Sequence, residues 1–170
     1  NRIYIEEATD IKHELYLGLV FDRPSESIMV VASTEGGMSV EEISKDKPES
    51  IMRLKIDVAV GMRKFQAREL AFGLGIETEL ISKATDTIRG CYRAFTDLDA
   101  TMVEVNPLVI SKQNEILALD CKMSFDNNAL FRMNNIAELR DKSQENPNEV
   151  YASDRGMNYV SLNGNIGNII

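Results

Sequence analysis

Two alternating arms separated by three polar residues constrain this chain more than any other stretch. Thr101-Met-Val-Glu-Val-Asn-Pro-Leu-Val-Ile-Ser111 is followed by Lys112-Gln113-Asn114 and then by Glu115-Ile-Leu-Ala-Leu-Asp-Cys-Lys122. The period of two predicts strands. The short loop joins them as a hairpin, with Asn114 suited to the left-handed turn position. Ser111 then faces Glu115, Asn106 lies opposite Asp120, and Glu104 lies opposite Lys122. Opposed residues of an antiparallel pair share a face. One face therefore carries Val103, Val105, Val109, Leu117, Leu119 and Cys121, a core surface. The other mixes Met102, Leu108, Ile110, Ile116 and Ala118 with Glu104, Asn106, Asp120 and Lys122. That face is too apolar for plain solvent surface, so its polar cluster is expected to line a cleft. An amide oxygen beside a carboxylate suits Mg²⁺, which keeps several waters and takes one or two protein oxygens plus substrate phosphates. The same spacing also allows a structural role, with Asn106 as a turn residue before Pro107 and Asp120 paired to Lys122.

The 170 residues suffice for one good core and the start of another domain. A formal net charge of −8 argues against a nucleic-acid footprint, which needs a basic face, but leaves phosphate ligands open. Cys91 and Cys121 lie on apolar stripes without metal-like spacing and read as reduced core residues of an intracellular protein. With one histidine and two scattered cysteines, zinc is not expected. No apolar run approaches a membrane span, and no basic-then-apolar signal segment opens the chain. A strand-like start at Arg2 to Glu6 and an apolar stop at Ile169-Ile170 lead to the expectation of a fragment of a longer polypeptide.

Taken in order, Arg2 to Glu6 predicts a strand and Glu7 to Asp10 a turn. Lys12 to Asp22 alternates, with Leu15, Leu17, Leu19 and Phe21 on one face and Glu14, Tyr16, Gly18 and Val20 on the other. Ser27 to Ser33 returns antiparallel after a turn at Pro24. Gly36-Gly37 forms a loop, Ser39 to Lys47 a short helix stopped by Pro48, and Leu54 to Asp57 a weak strand. Two packing helices follow, one through Ala67, Leu70, Ala71 and Leu74, the other from about Glu77 to Leu98. After the hairpin, Phe125 to Met133 and Asn135 to Lys142 predict short helices. Ser143 to Glu149 reads as a linker. Tyr159 to Leu162 reads as a new strand before the glycine turn Asn163-Gly-Asn-Ile-Gly167, whose amides could hold phosphate or carboxylate.

Together these segments resemble the β subunits of succinyl-CoA synthetase. The resemblance is carried by Ile5-Glu-Glu-Ala-Thr-Asp-Ile11, Glu14-Leu-Tyr-Leu-Gly18, Ala32-Ser-Thr-Glu-Gly-Gly37, Gln66-Ala-Arg-Glu-Leu-Ala-Phe72, Glu104-Val-Asn-Pro-Leu-Val-Ile110, Ala118-Leu-Asp-Cys-Lys122, Asn128-Ala-Leu-Phe-Arg132 and Asn158 to Gly167. It implies an α+β fold: the second subdomain of an ATP-grasp domain, a mostly antiparallel sheet with packed helices, over residues 1–142. A linker at 143–157 and the first strand and turn of a flavodoxin-like CoA-ligase domain at 158–170 would follow.

The resemblance also implies residue roles. Glu6, Thr9 and Glu14 would line the nucleotide pocket, Asn106 and Asp120 would hold Mg²⁺, and Glu104 would face a phosphohistidine arriving from an α subunit. His13, the only histidine, has no role in that pattern and reads as surface. The implied chemistry is the reversible, NDP-forming joining of succinate to CoA at the expense of ATP or GTP. It runs through succinyl phosphate and the phosphohistidine, in the citric acid cycle, in a bacterial cytoplasm or mitochondrial matrix. Partners would be the α subunit and small-molecule substrates, with neither nucleic acid nor membrane. Cys121 departs from the pattern, which usually has glycine after the metal aspartate. The subdomain with the phosphate-gripping lysine is absent, so this chain is expected to be inactive alone. A malate–CoA ligase or another NDP-forming acyl-CoA ligase large subunit would use the same residues. A non-catalytic nucleotide-binding or assembly module would keep Asn106 and Asp120 for structure only.

Overall fold

The strand at the centre of the sheet, β1 (Ile11–Asp22), buries Leu15, Leu17 and Leu19 at every second position. This alternation sets the rest of the architecture. In the computed structural model, which describes residues 7–162 together with Ile3, Ile5 and Gly164, β1 pairs antiparallel with strands on both sides. The turn Arg23–Ser25, started by Pro24 and closed by Glu26 at φ 49°, leads into β2 (Ser27–Ser33). β3 (Ile51–Ile56) lies outside β2, and β4 (Ala100–Ser111) lies on the other flank of β1. β5 (Ile116–Ala118) and β6 (Cys121–Phe125) both pair with β4, giving, among the described residues, a six-stranded sheet in the order β3-β2-β1-β4-β5 with β6 beside β4. The predicted meander and hairpin are both present.

The hairpin register follows the loop length. Glu104 pairs with Lys122, Leu108 with Ala118 and Ile110 with Ile116, and the Asn106 N–H donates to the Asp120 carbonyl at 3.2 Å. Asn114 takes φ +59°, the left-handed position expected of it.

The assignment of faces needs correction. Leu15 pairs with Leu108 but Leu17 pairs with Val105, so β4 uses three residues where β1 uses two. One extra residue inverts which way every later side chain points. Leu108 and Ile110 therefore join Val103 and Val105 in the core, while Val109 and its partner Leu117 belong to the opposite face. Cys121 is exposed rather than buried, because β6 has β4 as its only strand neighbour among the described residues.

Helices α2 (Lys64–Gly73) and α3 (Ile81–Asp97) cover the core face through Ala67, Leu70, Ala84, Ile88 and Phe95. The helix α1 (Val40–Asp46) starts at a reciprocal cap: the Glu42 N–H donates to Ser39 Oγ at 3.3 Å, and the Ser39 N–H donates to Glu42 Oε2 at 3.1 Å. Its Ile43 is buried outside the α2 and α3 cluster.

These elements belong to one compact unit, Asn1–Ala129; Leu130–Ile170 forms a second. Phe125 ends β6, and Asn127–Arg132 is a 3-10 segment, so the helix expected from Phe125 to Met133 is shorter and tighter. Within the second unit, α4 spans only Asn134–Ala137. The expected linker carries a 3-10 turn at Lys142–Gln144 and the start of α5 (Pro147–Ser153), which opens on Pro147 with Asn146 as its cap. Exposed ion pairs, Arg140 with Glu145 and Lys142 with Asp154, both at 2.6 Å, tie its turns together. Tyr159 to Leu162 form no strand, since a strand requires a neighbour and none pairs with them among the described residues. Most of the expected strand at Arg2 to Glu6 and most of the Asn163 to Gly167 turn lie outside the described residues.

Leu17 is fully buried at the middle of the sheet. Leu17→Ala is expected to lower the stability of the first unit by about 2–5 kcal/mol, read as a drop in the urea midpoint. A change below about 1 kcal/mol contradicts the assigned core.

Candidate functional site

On the sheet face away from α2 and α3, the Asn106 side chain grips a loop. Its Oδ1 accepts the Gly37 N–H at 2.8 Å, and its Nδ2 donates to the Met38 carbonyl at 2.8 Å. The loop can come this close only because of its glycines. A Cβ on Gly36 would stand 2.6 Å from both the N and the O of Leu15, and Gly37 takes φ +73°. Two further contacts hold the same loop: the Glu35 N–H donates to Ser33 Oγ at 3.1 Å, and Lys47 pairs with Glu35 at 2.8 Å. Glu14 lies beside it, since a Gly37 Cβ would meet Glu14 Oε2 at 2.8 Å.

Next to this grip, Glu104 is paired in register with Gly18 on one side and Lys122 on the other. Tyr16 shares the Gly18 face by alternation, and it is 5% exposed although it lies outside the main core cluster. A Cβ on Gly18 would stand 2.6 Å from the Tyr16 hydroxyl, so the phenol lies across the glycine toward Glu104. Burial, then the charge of Glu104 and a hydrogen bond to it, and last the charge of Glu41 push the Tyr16 phenol up to about 12.

The expected site residues fall into two places. Glu104, Asn106 and Asp120 come together on the hairpin, with Glu14 joined to Asn106 through Gly37. The Asp120 carboxylate stands at the exposed end of this group. Thr9 lies elsewhere, in a cavity of about 340 Å³ with Glu7, Asp10, Ser111, Gln113, Glu115 and Leu117 at the loop end of the hairpin. The Lys112 N–H donates to the Asp10 carbonyl at 2.8 Å and ties the two segments there. Glu6 lies outside the described residues. His13 is exposed, as expected.

Sequence reasoning missed two members of the site, Tyr16 and the Gly37–Met38 backbone. The set Glu14, Tyr16, Gly18, Val20 held a signal for the first: a large polar ring beside an empty position on a face that is not the core. Among the cysteines, Cys91 is half-buried, and burial first, then Cys121, pushes its thiol up to about 11. Neither thiol has the depressed pKa of a nucleophile, because Cys121 is also raised, by burial and then by Asp120.

A carboxylate, an amide oxygen and a second carboxylate on one polar sheet face, beside a glycine loop, can bind a cation and position phosphoryl groups. The family model described as ATP-grasp domain matches residues 1–110, and the chain belongs to the ATP-grasp family. A protein of Mesorhizobium japonicum named probable malate–CoA ligase subunit beta is 58% identical over all of this chain and 43% of that protein. The succinate–CoA ligase [ADP-forming] subunits beta of Paramagnetospirillum magneticum and Bacillus subtilis are each 46% identical over 98% of this chain, and 42% and 43% of theirs. The chain thus spans less than half the length of these relatives. The fold matches that of ATP citrate lyase from Methanothrix soehngenii in complex with citrate and coenzyme A. That match has a TM-score of 0.67 at 18% identity, over 88% of this chain and 34% of that one. Among the described residues no helix is long and apolar enough to cross a membrane.

The Tyr16 phenol sets a pH dependence. Its folded value of about 12 lies above the ordinary 10.0, so between the two only the unfolded chain loses the proton. The stability it contributes is complete below pH 10.0 and is lost as pH rises toward about 12. The urea midpoint of the wild type should fall more steeply over that window than that of Tyr16→Phe. Parallel curves contradict the assignment.

Proposed function

We propose that this chain is the second ATP-grasp subdomain, over residues 1–142, of the β subunit of an ADP-forming dicarboxylate–CoA ligase. Residues 143–157 would connect it to the start of a CoA-ligase domain at 158–170. The observation that carries this reading is the hairpin register, which opposes Asn106 and Asp120 and puts Glu104 two residues away on the same polar face. The names of the relatives support the reaction class: succinate–CoA ligase [ADP-forming] and malate–CoA ligase.

The donor set fits Mg²⁺. An amide oxygen has two lone pairs, and Gly37 uses one of those on Asn106 Oδ1. Asp120 supplies an exposed carboxylate. Mg²⁺ takes one or two protein oxygens and its remaining ligands from water and nucleotide phosphates. When bound, Mg²⁺ would offset charge on the transferring phosphoryl group.

The protein's own groups position the reactants. Glu6, Thr9 and Glu14 would line the nucleotide pocket, Thr9 from the cavity at the loop end of the hairpin and Glu14 farther along β1. Glu104 would orient the imidazole of a phosphohistidine brought by an α subunit and stabilise its charged form. The β-γ bond of the triphosphate breaks as the phosphoryl group moves to that histidine. It then passes to the acid as an acyl phosphate, and CoA displaces phosphate. Catalysis of this kind is mostly positioning and electrostatics.

The acid is succinate in the first reading. The 58% identity over the whole chain favours malate as a second reading. Assay of the assembled two-subunit enzyme against both acids separates them.

Calorimetric titration of ADP into this chain, with and without Mg²⁺ and on Asp120→Ala, tests the metal pair. Mg²⁺-dependent heat is expected for the wild type and is lost in the variant. Binding unchanged by the substitution contradicts the pair.

A further inference from the structure

Glu104 can orient a reacting group only if its own carboxylate is held, and its two strand neighbours offer unequal means of holding it. Lys122, opposite on β6, is exposed, and β6 has β4 as its strand neighbour among the described residues. Gly18, opposite on β1, has no side chain at all. The space that Gly18 leaves is filled from within the same strand: the hydroxyl of Tyr16 lies 2.6 Å from where a Gly18 Cβ would stand. A residue directly opposite in an antiparallel pair places its own Cβ roughly 4.5–5.5 Å from that point on the same face. The Tyr16 hydroxyl is therefore within reach of the Glu104 carboxylate. The ring that carries the hydroxyl is 5% exposed, so it is fixed by packing, unlike an exposed lysine that must order a long side chain to make its contact.

We infer that Tyr16 is a positioning residue for Glu104: its buried phenol, admitted across the sheet by Gly18, donates a hydrogen bond that fixes the Glu104 carboxylate for the incoming histidine. The inference rests on the proposed role of Glu104 and extends it to two residues with no assigned part. Gly18 is required by volume. An added methyl would push the phenol away while leaving both partners chemically intact. At neutral pH a phenol is a donor and a carboxylate accepts only, so the direction of the bond is settled. Bonds to a charged acceptor are stronger than those between neutral groups.

The test uses the assembled two-subunit ligase, with steady-state turnover, nucleotide KM and thermal midpoint read for Tyr16→Phe, Gly18→Ala, Glu104→Gln and the Tyr16→Phe/Glu104→Gln pair. Tyr16→Phe is expected to lower kcat on the order of tenfold, with nucleotide KM unchanged. Packing loss alone would not split the two constants in this way. The double variant should be no slower than Glu104→Gln alone, because the phenol acts through the carboxylate. Gly18→Ala, if folded by its thermal midpoint, should show the same kcat loss with Tyr16 still present. Full kcat in Tyr16→Phe beside a crippled Glu104→Gln overturns the positioning role and leaves the reading of Glu104 intact. Multiplying losses in the double variant overturn it equally. Full activity in Glu104→Gln overturns the reading on which the inference stands.

Discussion

The side-chain amide of Asn106 fastens two parts of the chain 69 residues apart, and the polar face of the sheet depends on that fastening. Without it, nothing on β4 would hold the Gly36–Met38 loop over β1. The fastening in turn requires glycine at position 36, because the loop lies within 2.6 Å of the Leu15 backbone. It also uses both ends of the amide, one accepting and one donating. An aspartate could not reproduce both bonds while ionised. The oxygen that takes the Gly37 N–H is also the one proposed for a cation.

The bulge between β1 and β4 serves the same end. By spending one extra residue around Asn106 and Pro107, β4 keeps Val103, Val105, Leu108 and Ile110 all on the α2 and α3 side. A strict alternation would have moved Leu108 and Ile110 to the polar face and crowded it. The bulge thus reconciles a continuous core with a cluster of Glu104, Asn106 and, across the hairpin, Asp120. Glu104 and Tyr16 show the same economy on the neighbouring rung, where an absent side chain at Gly18 makes room for a ring from two residues away.

Much of this was legible in the sequence. The hairpin register follows from a loop of three residues and a left-handed Asn114, both local properties. The meander, α1 with its Ser39 cap, and the two packing helices follow from periodicity and turn residues. What stayed hidden depends on partners far away in sequence. The parity change at Asn106 is a property of the pairing between β1 and β4 and cannot be counted along β4 alone. Cys121 reads as core by alternation, yet its exposure follows from β6 having one strand neighbour among the described residues. The grip on Gly37 joins a loop to a strand that no local rule connects, and Tyr159 to Leu162 have strand composition but no pairing strand among the described residues.

The most direct test of this account is the hydrogen-exchange rate of the Gly37 amide, measured by NMR in the wild type and in Asn106→Ala, with the Leu17 amide as an internal control. If the Asn106 grip organises the polar face, Gly37 is protected in the wild type and loses protection on the order of tenfold in the variant, while Leu17 is unchanged. Equal Gly37 exchange in the two proteins would contradict it.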